Sequence, residues 1–173
     1  MQTGDNMQGQ MNAEELAYFY NSIGKAIWQM QYVEQSLGQM LLIMSKGLKP
    51  NGLSPDDAET ILLTIQKKTL GAIVNDICKE ELLPPELLKR LEWFNAERRW
   101  LVHKSVIESS KDLYNSTTRN EVFIRIDAFT KEAIQLHKDL QDSLYQYMHG
   151  VGVNTQLFND IAEQELRKLK GFA

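Results

Sequence analysis

Arg98, Arg99 and His103 fall within the short stretch AERRWLVHK (residues 96–104), and these side-chain types can do phosphate chemistry. An imidazole transfers protons near neutral pH, and a guanidinium neutralises charge building up on phosphate oxygens. Geometry restricts the set. Residues five apart are turned about 140° from each other on an ideal helix, whereas Arg99 and His103, at i and i+4, share a side. Arg98 can join them only through its long side chain, a local distortion of the helix, or a site completed across a dimer seam. A lone helical histidine is more often structural or simply solvated, so the residues alone leave both answers open.

No other catalytic set competes. His137 and His149 fall on the polar side or at the end of a surface-type helix, and Cys78 has no evident base beside it. Asp56 and Asp57 suit the first turn of a helix better than a metal. There is no glycine-rich phosphate loop and no ligand cluster with metal spacing, so neither metal nor cofactor is expected.

The elements that must position these residues are helices. With 173 residues and 43% hydrophobic side chains, the chain can bury one core and reads as a single domain spanning 12–173. Residues 1–11, rich in Gln, Gly and Asn, read as a flexible tail. Nineteen basic against twenty-three acidic side chains give a net charge of −4, so any nucleic-acid contact must be local. The single cysteine cannot pair within the chain and fits a small buried hydrophobe in a reducing compartment. Neither a signal peptide nor an apolar run of membrane-spanning length is present, which makes the cytoplasm the expected location.

From Asn12, a plausible N-cap, to Gly47, apolar residues recur at Leu16, Tyr20, Ile23, Ile27, Met30, Leu37, Leu41 and Met44, the period of one long amphipathic helix. Ser54 and Pro55 open a second helix to about Lys67, and a short one follows to about Glu81. Pro84 and Pro85 open the helix carrying the motif, whose apolar positions continue to Val106. After the connector ESSKDLYNSTT, a long pattern from Val122 to Tyr147 ends at Gly150 and Gly152, and Asn154 caps a last helix. VFIRI alone has strand-like composition, yet its flanks are helical. The expected fold is all-α, an antiparallel bundle of about five to six helices.

Two charges interrupt apolar stripes. Glu34 holds the place between Met30 and Leu37, and Arg98 follows Leu87, Leu91 and Phe94 in the motif helix. A buried charge without a partner is very costly, so the two can pair, or each can reach solvent at the bundle edge. If buried, the pair should cost roughly 3 to 5 kcal/mol to break, and at most about 1 if exposed. On the opposite side of the motif helix, Trp93, Ala96, Trp100 and His103 are spaced three, four and three. Two tryptophans facing away from their own core need cover, either from another helix of the chain or from a second copy. A twofold dimer is the favoured expectation.

Arg98-x4-His103 within NAERRWLVHKSV, together with Glu34 in the upstream QYVEQSLGQML, resembles the signature of the HEPN domain (higher eukaryotes and prokaryotes nucleotide-binding), in its abortive-infection-like form. The resemblance extends over roughly residues 13–149. It implies a dimeric helical bundle acting as a metal-independent endoribonuclease in toxin–antitoxin or phage-defence roles. Arg98 and His103 would be the catalytic pair at a cleft between protomers, RNA the substrate and an antitoxin a partner. Glu34, Arg99 and Asn95 are the supporting positions. Arg99 stands where the family commonly has asparagine, and Ser105 where some toxin members carry a modifiable tyrosine. The rival readings are a non-catalytic interaction, immunity or regulatory protein using the tryptophan face, and a small-nucleotide-binding module.

Overall fold

The computed structural model describes residues 9–45, 60, 63–65 and 67–153. Helix α1 (Ala13–Met40) runs into a first π-helical turn, Leu41–Ser45. Helix α2 is Leu70–Lys79, and α3 (Pro85–Arg99) passes through a second π turn, Trp100–Lys104, into the short α4 (Ser105–Ser109). A 3-10 turn at Asp112–Tyr114 leads to α5 (Ser116–Gly150). No strand occurs among the described residues, and the fold is an all-α bundle. None of the helices found there is long and apolar enough to cross a membrane.

Local signals set the helix ends. The Asn12 side chain accepts from the Glu15 N–H at 2.9 Å while the Glu15 carboxylate accepts from the Asn12 N–H at 3.0 Å, a reciprocal cap that satisfies two otherwise orphaned donors. Thr69 caps α2 and Asn115 caps α5 through their side-chain oxygens, and proline opens α3. After α5 the chain turns at Gly152, whose φ of 78° favours a residue without Cβ. The connector is shorter than its composition suggests, because α4 takes its first two residues and α5 its last three. VFIRI lies inside α5. The helix expected from Ser54 falls largely outside the described residues, although 60 and 63–65 are helical; the helix expected after Asn154 and the tail residues 1–8 lie outside them altogether. Gly9 is docked: its N–H donates to the Tyr114 carbonyl at 3.1 Å.

Three long passes build the core. Arg90 on α3 bonds Glu132 and Asp139 on α5, while Glu97 bonds Arg125, so these two helices are antiparallel. Along α1, Glu15 meets Arg119, Tyr18 meets Asp127 and Ser36 meets His137, so α1 and α5 run parallel. The antiparallel expectation therefore holds between α3 and α5 but not between the two longest helices, α1 and α5. Phe94 and Phe129 stack at 4.8 Å between centroids in the middle of the core.

The stripe expected on α1 is displaced at its start. Ser22, Ala26, Met30, Val33, Leu37 and Met40 are buried, whereas Leu16 and Tyr20 are exposed. Small side chains at 22 and 26 face the core where α1 lies along α5. Leu16 and Tyr20 instead line an apolar groove of about 510 Å3 together with Phe19, Val106, Leu113 and Tyr114.

Candidate functional site

The motif straddles the second π turn. The Ser105 N–H donates to the Trp100 carbonyl, an i→i+5 bond that takes an extra residue into the turn. Such a turn reduces the rotation per residue, so the offset between positions 98 and 103 falls below the 140° of an ideal helix. The distortion narrows the angle between the two positions, but no hydrogen bond or ion pair joins Arg98 to His103 among the described residues. His103 is exposed and has no hydrogen-bond or ion-pair partner among the described residues. Arg99 is exposed as well, and Lys104 pairs loosely with Glu108 at 3.7 Å.

Arg98 points the other way, into the bundle edge. Its Nη2 lies 3.9 Å from Glu34 Oε1, with the side chains 19% and 32% exposed. The pairing expected from the interrupted stripes is present, half-buried and too long for a hydrogen bond. Burial pushes the Glu34 carboxyl above its ordinary range, and the attraction of Arg98 only partly offsets this. The Arg98 Nε is buried without a partner, as is the Oδ1 of Asn95, which lies against Gly71 of α2. Both atoms carry unused hydrogen-bonding capacity beside the motif.

The tryptophan face divides. Trp93 and Ala96 are exposed, but Trp100 is only 4% exposed and is covered by its own chain. The Arg125 guanidinium carbon sits 3.7 Å from the centre of the Trp100 ring, and two bonds of 2.7 and 2.9 Å to Glu97 hold it there. Trp100 therefore leaves the exposed stripe because the α5 arginine covers it. Val102, Val106 and Ile107 are also exposed.

Some polar groups that the sequence passed over come together elsewhere. Ser36 Oγ lies 2.8 Å from His137 Nδ1, donates to the Tyr32 carbonyl and accepts from Gln141. At 2% exposure Ser36 cannot meet a substrate, so this serine–histidine contact ties α1 to α5. The only sign in the sequence was a serine at a core position of a helix. Cys78 is half-buried and unpaired, with its thiol pushed up by burial and by Glu92. No group of three candidate metal ligands occurs among the described residues. In comparisons with known proteins, the chain matches no family model, no curated protein and no solved structure.

Proposed function

We propose that this protein is a metal-independent endoribonuclease of the HEPN type, acting as a twofold homodimer. The observation that carries the reading is the π turn between Arg98 and His103, since such turns concentrate at functional sites and this one falls within the motif. In this reading an RNA 2′-hydroxyl attacks the adjacent phosphate. Exposed His103 moves the proton, and Arg98 or Arg99 stabilises the charge that develops on the phosphorane. The proton leaves the 2′-oxygen as the 2′-O–P bond forms, the 5′-oxygen leaves with a proton returned to it, and the product ends in a 2′,3′-cyclic phosphate. Glu34 holds Arg98 at the bundle edge without consuming its donors in hydrogen bonds.

Purified protein should cut single-stranded RNA equally well with and without EDTA, and His103→Ala should lower the rate about 100-fold or more while leaving the melting curve unchanged. Uncut RNA, or a His103→Ala variant as active as its parent, ends this reading. The exposed run of Trp93, Val102, Val106 and Ile107 supports the dimer and equally favours the second reading, an interaction module whose partner covers this face. Ala96→Glu places a charge within it and should dissociate the dimer with the helices intact. Sedimentation of the parent as a monomer at micromolar concentration rejects the dimer.

A further inference from the structure

A cavity of about 780 Å3 opens between α1 and α2 beside Arg98, within the size range of small-molecule sites. Glu34, Gln35 and Gln39 line it from α1, with Lys68 and Thr69 ahead of α2. Leu42, Ile65, Leu70 and Ile73 supply an apolar floor. At its edge Ile65 packs closely on Gly38, where a Cβ would stand 3.3 Å from Ile65 Cγ2.

The polar groups around this floor are underused. Glu34 makes no hydrogen bond to Arg98 across 3.9 Å, and the Arg98 Nε has no partner among the described residues. Gln35 is exposed and makes no hydrogen bond within the described residues. Gln39 uses only its carbonyl, as a weak acceptor from Gln141 at 3.5 Å, which leaves its amide donors free. Lys68 bonds Asp76 at 2.6 Å and keeps further donors. The site thus offers a carboxylate that accepts, together with amide and cationic donors and apolar side chains in one lining.

We propose that this cavity takes an unpaired guanine base of RNA, with Glu34 accepting from its N1–H and 2-amino groups and the glutamine amides donating to its O6 or N7. Two adjacent donors on one edge are what a carboxylate recognises in a base, and guanine alone among the four presents them. Adenine and cytosine place a ring acceptor beside their amino group, and uracil flanks a single N–H with carbonyls. Each would set a lone pair against a half-buried carboxylate. Unstacked bases read on their Watson–Crick edges are the usual route to sequence preference in RNA. The cavity's ligand class stands on its own lining. Its role, fixing the nucleotide next to the cut because Arg98 borders both cavity and motif, rests on the nuclease reading.

The test titrates the full-length protein with the 5′-monophosphates of guanosine, adenosine, cytidine and uridine by calorimetry, alongside RNA cleavage. Guanosine monophosphate should bind about tenfold or more tightly than the others, the scale of one unsatisfied buried polar group. Glu34→Gln should abolish that preference. Gln35→Leu, at an exposed helix position that folding does not need, should weaken guanosine monophosphate severalfold, and His103→Ala should bind it like the parent. Equal binding of all four, no binding at millimolar concentration, or preference retained in Glu34→Gln overturns the proposal. Selective binding without RNA cleavage leaves the cavity standing and removes the nuclease reading; cleavage without base preference or nucleotide binding does the reverse.

Discussion

Two arginines in this bundle lie mostly out of water, and they are held in opposite ways. Arg119, 6% exposed, donates from Nη1 to Glu15 at 2.6 Å and from Nη2 to the Gly9 carbonyl at 2.9 Å, pinning the start of α1 and the residues before it to α5. Arg98, 19% exposed, has a carboxylate at 3.9 Å and no hydrogen bond. Charge-assisted bonds at the first distance are strong and geometrically fixed, whereas a contact at the second is a loose electrostatic restraint. Burial alone does not separate the two, and each keeps a buried Nε without a partner among the described residues. What separates them is whether the Nη donors are already engaged in hydrogen bonds.

Arg98→Ala should sharpen this contrast most. If its donors serve a reacting phosphate, RNA cleavage should fall about 100-fold, the scale of one lost charge-stabilising group, while urea melts show a loss of no more than about 1 kcal/mol. A large stability loss with unchanged cleavage per folded molecule would make Arg98 a second Arg119. The converse substitution, Arg119→Ala, should cost about 2 kcal/mol, since two hydrogen bonds to a charged group are lost but Glu15 can turn to solvent. Cleavage per folded molecule should not change. A stability loss of only a few tenths would show that the short bonds of Arg119 contribute little.

The smallest effects concern Glu34. A pair this long and this open should respond to Glu34→Ala nearer to the exposed than to the buried limit, with a loss of about 1 kcal/mol or less in urea melts. Its pH dependence has a definite sign. Burial raises the carboxyl, so the folded chain binds the Glu34 proton more tightly than the unfolded chain does. The stability this confers is fully present below the ordinary carboxylate value and is lost as pH rises through the raised one. Glu34→Gln removes that dependence, so its stability relative to the parent should rise over the window in which pH climbs above the ordinary carboxylate range. A difference that is flat or falls over this window would show that Arg98 holds the carboxylate more firmly than the 3.9 Å contact implies.

How much of the site could be read in advance follows the same division. Glu34 and Arg98 were visible because each breaks an apolar period, and their pairing followed from the cost of leaving either charge alone. Arg119 gave no such sign: it sits one turn into α5, ahead of the apolar run, and its burial comes from α1 and Gly9, residues about a hundred positions away. Trp100 misled for a related reason. The helix period sets it on the side of Trp93, but Arg125, from a helix distant in sequence, closes over its ring. Gln35 and Gln39 look like ordinary solvent-facing residues until α2 and Ile65 are set opposite them.

The sequence by itself determined the all-α class, the cap at Asn12, the proline start of α3 at Pro85, the glycine end of α5 and the core column through Leu91 and Phe94. These follow from spacing and backbone chemistry within a few residues of each other. Only the tertiary structure decided that α1 and α5 run parallel, that α1 buries Ser22 and Ala26 instead of Leu16 and Tyr20, and that Arg125 covers Trp100. It also decided that a cavity remains beside Arg98. Each of these depends on how closely helices distant in sequence can approach, which local periodicity does not encode.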